Sequence, residues 1–305
     1  MTTAERASPI RRILIALDAS PPSIAALEAA AALAVRINAE LFGVFIEDVN
    51  LLRLAGLPFA AEIGVLAPRT RPFATDEMEQ HLRAQRVRAE AALVRVAERL
   101  QLRWSFRVAR GQIVPELLAA AMEADLMALG SMSTQMIRRA WLGSTTQALM
   151  ARAARPLLIA PHGATVRLPI AVVYTDSPGS AQALALAQYV CERLGDGELV
   201  VLLIADDAEQ EERLRRTAAA RLEASRATVR YRWLVEADAN ALARALRAEC
   251  AGTLVFATDV DELDAQSLRQ LLERMDIAVL LVRDAGQASL STTEVAKDAK
   301  ENKKR

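Results

Sequence analysis

Lysine is nearly absent from this chain. Its four lysines, Lys297, Lys300, Lys303 and Lys304, all lie at the C-terminal end, and every basic residue upstream is arginine. That removes the phosphate-gripping lysine of a Walker-type loop. Aromatic residues make up only 4% of the chain, too few for a base-stacking platform that would hold single-stranded nucleic acid. Lys+Arg and Asp+Glu both number 38, so no net charge draws the chain to nucleic acid or to an anionic membrane. Two cysteines, Cys191 and Cys250, have no CxxC partner and no neighbouring histidine. This argues against a disulfide framework or a zinc site and fits buried thiols in a reducing compartment. His81 and His162 lack a nucleophile or ligand partner at recognisable spacing, and GxSxG and HExxH do not occur. No catalytic and no metal-ligating residue is therefore assigned. Long apolar runs are missing as well. Residues 13–17 stop at Asp18 and the Ala-rich stretch 25–35 contains Glu28, so neither a signal peptide nor a membrane span is expected. The expected location is cytoplasmic.

What the chain does have is material for two cores, with 52% hydrophobic and 25% charged residues over 305 positions. Residues 13–17 form a continuous apolar run, as in a strand buried on both faces of a parallel sheet. A turn over 18–23 follows, with Ser23 as the expected cap of a helix over 24–37, and then a strand over 41–46. Segment 47–73 is apolar and punctuated by Gly56, Pro58, Gly64, Pro68 and Pro72, a connection long enough to serve as a lid or a contact surface. Thr75 opens a helix to about 100, with Asp76, Glu77 and Glu79 favourably placed in its first turns. A strand over 104–109, a helix over 114–124, a strand ending at Gly130, a helix over 144–153 and a strand over 156–160 complete the set. Alternating strands and helices imply a parallel sheet with right-handed crossovers.

After a linker at 162–168 the pattern restarts, with 170–177 repeating 13–19 in type, a repeat of roughly 155 residues. Strands are expected over 170–175, 199–204, 229–235, 253–257 and 277–282. The fold class is therefore α/β, two tandem Rossmann-like domains, each a five-stranded parallel sheet with helices on both faces. The boundaries are residues 1–163 and 168–284, followed by a polar tail over 285–305 that reads as disordered.

The chemistry concentrates on two glycine loops. Gly130-Ser131-Met132-Ser133 follows the fourth strand, and Gly143-Ser144-Thr145-Thr146 opens the next helix. In a doubly wound sheet the ligand crevice lies beyond the C-terminal strand ends, where Asp18, Val44 and Gly130 all fall. Small residues at a helix N-terminus present free N–H groups and a partial positive charge to a phosphate. The alternative is that these glycines only make turns, and the residues alone leave both readings open.

At these positions the chain resembles the universal stress protein family. Its nucleotide-binding members carry glycine, two residues, glycine, nine residues, then glycine with serine or threonine. Here those positions are Gly130, Ser133, Gly143 and Ser144, with Ser133 in place of a glycine. The likeness extends to 13–20, where Ala19 replaces the glycine of an Asp-Gly-Ser turn, and to the closing strand at 155–159. It is good over 10–162 and traceable over 168–284, so the chain resembles a tandem member. The resemblance implies an adenine nucleotide, ATP with or without Mg²⁺, as a regulatory ligand in a stress response. Asp18 and the backbone near Leu17 and Val44 would hold adenine and ribose, and Gly130, Gly143, Ser144 and Thr145 the phosphates, with Ser133 alongside. Any hydrolysis would be slow and incidental. It also implies that the closing strands 156–160 and 277–282 pair within the chain as a pseudo-dimer.

The second half has no glycine after its fourth strand. Its loop carries Asp259, Asp261, Glu262 and Asp264, four carboxylates that repel a polyphosphate. A single nucleotide site, in the first half, is the expectation. The rival is a nucleotide-free interaction module that uses 47–73 to dock a partner protein or a second copy as a homodimer.

Overall fold

The computed structural model describes residues 10–55, 61–63, 70–72, 75–130, 132–134, 139–141, 144–195, 197–235, 238–258, 270–271 and 274–283. Gly143, the acidic loop 259–264 and the tail 285–305 lie outside these residues.

In the first half β1 (Arg12–Ala16) leads to α1 (Pro21–Ile37), β2 (Glu40–Asp48) and α2 (Val49–Ala55). A short hairpin of β3 (Ala61–Ile63) and β4 (Thr70–Pro72) precedes α3 (Thr75–Arg99) and β5 (Trp104–Gly111). Then come α4 (Ile113–Ala121), β6 (Leu126–Gly130), a second hairpin of β7 (Met132–Thr134) and β8 (Arg139–Trp141), α5 (Ser144–Arg152) and β9 (Leu157–Ala160). The second half runs β10 (Ile170–Tyr174), α6 (Pro178–Leu194), β11 (Glu198–Ile204), α7 (Ala208–Arg221), β12 (Thr228–Leu234), α8 (Ala239–Ala248), β13 (Thr253–Ala257) and β14 (Ala278–Val282). Segment 47–73 thus contains a helix and a hairpin, and the stretch after Gly130 holds a hairpin as well. Neither shows in the sequence, because short elements give too few residues for a period.

Each half is a parallel five-stranded set, β5-β2-β1-β6-β9 and β12-β11-β10-β13-β14, and the two join into one ten-stranded sheet. The joint is antiparallel, with Leu281, Leu280 and Val279 of β14 opposite Leu157, Leu158 and Ile159 of β9. The closing strands therefore pair within the chain. Strand side chains alternate between two cores. Ile13, Ile15, Leu158, Val172 and Leu280 pack with α1, α3, α6 and α7 on one face, whereas Leu14, Met127, Leu157, Val279 and Leu281 pack with α4, α5 and α8 on the other. Continuous apolar strands follow from burial on both faces.

The halves superpose in register at their first strands. Ile13 pairs with Leu41 and Leu126 as Ile170 pairs with Leu199 and Thr253. The helix that follows is capped by Ser20 in one half and Ser177 in the other, each accepting the N–H three residues on (Ser23 and Ser180), with Pro21 or Pro178 next. Ser20 and not Ser23 is therefore the cap; prolines fit the first helical turn, where an N–H is unneeded. Ala19 and Asp176 both sit at φ 61°, so the counterpart of Asp18 is Thr175 and the carboxylate has moved by one residue. The repeat differs most after the second strand: 49–74 intervenes before α3, but only 205–207 before α7. The 162–168 connection is packed, with Ala164 and Val166 buried and both backbone groups of Arg167 bonded to the buried Thr253 hydroxyl. Cys191 is buried, but Cys250, expected to be buried, is exposed beyond the end of α8.

Candidate functional site

The order β2-β1-β6-β9 reverses direction of winding between β1 and β6, which opens a crevice beyond their C-terminal ends. A cleft of about 180 Å³ lies there. Ala16, Leu17, Val44, Ile46, Ile113, Leu117 and Leu129 give it an apolar lining, and Asp18, Ser20, Ser23, Thr145 and Thr146 a polar one. That volume is smaller than the ~300 Å³ and more of a drug-sized ligand site, so it seats part of a ligand and leaves the rest at its mouth.

Each wall has a local cause. Val44 and Ile46 share a strand face, so the two-residue period of the 41–46 strand that places one in the cleft places the other there too. Ile113 and Leu117 are one turn apart at the start of α4, whose N-cap Gln112 makes no side-chain cap bond. That positive helix end, like those of α1 and α5, lies at the cleft's end of the sheet and favours an anion. Asp18 is exposed, with Oδ1 accepting the Ser20 N–H at 2.9 Å. Among the described residues its Oδ2 makes no hydrogen bond, and no other carboxylate and no basic side chain lines the cleft.

Leu17, Asp18, Val44, Gly130 and Thr145, expected in one site, therefore line one cleft. The Leu17 N–H donates to the Val44 carbonyl at 2.9 Å, so that donor holds β1 to β2. Gly130 has a packing role too: a Cβ there would come within 1.9 Å of the Pro22 carbonyl oxygen in the first turn of α1. Ser144 is the exposed first residue of α5 and lies outside the lining; Thr146, buried, lies in it. Ser133 stands in β7 opposite Ala140 of β8. Gly143 lies outside the described residues.

Residues 9–161 match the universal stress protein family, a span that ends one residue beyond β9. The chain belongs to the universal stress protein family. No curated protein matches it. Among solved structures, a universal stress protein from Archaeoglobus fulgidus DSM 4304 is 16% identical with a TM-score of 0.72, the alignment covering 89% of this chain and 98% of that one. A protein from Pseudomonas aeruginosa UCBPP-PA14 is 14% identical at TM-score 0.57 (92% and 95% covered), and one of unknown function from strain PAO1 is 13% identical at 0.53 (94% and 98% covered). These full-length likenesses extend the Rossmann-like fold of a universal stress protein across both halves, a tandem arrangement.

Proposed function

We propose that the first half of this universal stress protein binds an adenine nucleotide, ATP or a close relative, as a regulatory ligand in a stress response. The observation that carries the reading is the cleft between β1 and β6, whose described lining is apolar within and carries one charged side chain, Asp18. An apolar slot suits a base, and Asp18 Oδ2 suits a ribose hydroxyl. The N-terminus of α5, with Thr145 and Thr146 in its first turn, suits phosphates. Mg²⁺ would be held chiefly by the phosphates themselves, with Asp18 the one carboxylate among the described lining residues. Among the described lining residues Asp18 has no second group with which to form a general acid–base pair, which favours a regulatory ligand over a hydrolysed substrate. The domain limits 1–163 and 168–284 and a cytoplasmic location belong to the same proposal.

The test is to purify the protein, denature it and assay the supernatant for released adenine nucleotide, then to measure the thermal shift with ATP and Mg²⁺. Released nucleotide and a positive shift are expected, with Asp18→Ala weakening affinity about tenfold or more through loss of a charged acceptor. Absence of both nucleotide and shift overturns the reading. A second reading, an interaction module working through 47–73, is favoured by Leu51 and Leu54, exposed on α2 at 40% and 53%. It becomes the better one if nucleotide is absent.

A further inference from the structure

Among the described residues four side-chain polar atoms are buried without a hydrogen-bond partner: Arg12 Nε, Arg155 Nε, Thr258 Oγ1 and Arg283 Nη1. Arg12 still has Glu40 at 3.4 Å. The other three share one place, at the joint between the halves. Leu281 lies opposite Leu157, and Arg283 and Arg155 each lie two residues beyond that pair at the same end of the joint, just outside β14 and β9. Ala257 lies beside Val282, and the Thr258 N–H to Val282 carbonyl bond at 2.9 Å extends that ladder and sets Thr258 next to Arg283. Leu157, Leu281 and Phe256 all face the α4, α5 and α8 core, and Arg155, Arg283 and Thr258 each follow two residues beyond them, the spacing that returns an extended chain to the same face.

We propose that this joint carries a second anion site, in which Arg155, Arg283 and Thr258 hold a phosphate group. Like charges at one end of a joint repel, and buried polar atoms without partners are exceptional in folded proteins. The nearest acid in the row does not answer them. Continuing the Met127–Leu157 register puts Asp125 beside Arg155, but its Oδ2 accepts the backbone N–H groups of Arg11 at 2.8 Å and Arg12 at 3.1 Å, toward β1. Neither Arg155 nor Arg283 has an ion pair among the described residues. Two guanidinium forks with a hydroxyl suit a tetrahedral dianion; a single carboxylate would leave one positive charge uncompensated. The site is separate from the nucleotide cleft: it lies at the start of β9, on the C-terminal side of β13 and β14, whereas the cleft opens beyond the far ends of β1 and β6.

The test uses the full chain titrated calorimetrically with inorganic phosphate and, separately, with ATP. Saturable phosphate binding is expected. Arg155→Gln and Arg283→Gln should each weaken it about tenfold or more, as loss of a charged hydrogen-bonding partner implies. Arg155→Lys should recover part of it. Nucleotide released from the first-half cleft on denaturation should be the same in all of them, which separates this site from that one. Loss of a second ATP-binding event in Arg155→Gln would identify the phosphate as a nucleotide's; an unchanged ATP titration would identify it as free phosphate. No saturable phosphate binding by the wild type, or equal affinity in the variants, overturns the proposal. So does phosphate binding that emerges only after Asp259, Asp261, Glu262 and Asp264 are changed to Asn and Gln, since the counter-ion would then be the chain's own acids. Arg155→Lys keeps the charge and guards against misreading a folding defect, which circular dichroism checks in each variant.

Discussion

Ala19 and Asp176 occupy the same place in the two halves, one residue before the Ser cap, and both adopt φ 61°. An L-residue in that region is strained by roughly 1–2 kcal/mol, less for Asp, whose short polar side chain can bond locally. Asp176 is so bonded: the Tyr174 hydroxyl, fully buried, donates to its Oδ1 at 2.8 Å. Burial and that neighbouring carboxylate push the Tyr174 pKa well above the usual phenol range. The same substitution should therefore act oppositely at the two sites. Ala19→Gly relieves strain but gives up some unfolded-state restriction, so it should be neutral or stabilise by up to about 1 kcal/mol. Asp176→Gly leaves a buried hydroxyl without its acceptor and should cost about 1–3 kcal/mol. Urea midpoints of the two variants check this, and equal shifts would contradict it. The residue scale also explains what the sequence could not. Gly130 read as a phosphate-loop glycine, yet its missing Cβ makes room for the Pro22 carbonyl, a contact between segments far apart in the chain.

At the scale of elements, the joint of β9 and β14 is the part that makes two halves one sheet. Leu158 and Leu280 lie directly opposite each other and are both fully buried. Removing one leaves a cavity where the neighbours on both sides are held in ladders and relax little. Leu280→Ala should lower stability by about 2–5 kcal/mol, read from the urea midpoint by circular dichroism. A loss below ~1 kcal/mol would mean that the joint carries little of the fold's stability. Helices and strands of ordinary length were legible in the sequence because burial on one helix stripe or on both faces of a strand leaves a long apolar pattern. The hairpins β3–β4 and β7–β8 were not, since each strand has three residues and its partner lies within the same short stretch.

Across the whole molecule, one interior and one surface thiol report on the fold separately. Burial raises the Cys191 pKa from 9.0 to about 11, with Glu192 adding to the shift. A neutral thiol in the core is unreactive, so a thiol reagent at neutral pH should label Cys250 in the native protein and Cys191 only on unfolding. The sign for stability follows from proton binding. Between pH 9.0 and about 11 the unfolded chain releases the Cys191 proton while the folded chain keeps it, so stability falls as pH rises through that window. Tyr174 and Tyr231, also raised mainly by burial, act in the same direction at the alkaline end. Cys191→Ala should make the decline shallower; an unchanged slope would show that the thiol contributes nothing.

The sequence by itself determined the α/β class, the tandem repeat and the order of the long elements, because each rests on a local pattern of burial; the five residues that line one cleft were named from strand ends, glycine spacing and the family resemblance together. Tertiary structure alone decided which end of which strand meets which helix. It moved the helix cap to Ser20, paired Ala19 with Asp176, gave Gly130 a packing role, and brought Arg155 and Arg283 to one end of the β9–β14 joint. Those facts depend on register between strands that are distant along the chain, and register is fixed by the joint packing of both cores, which no single stretch of sequence contains.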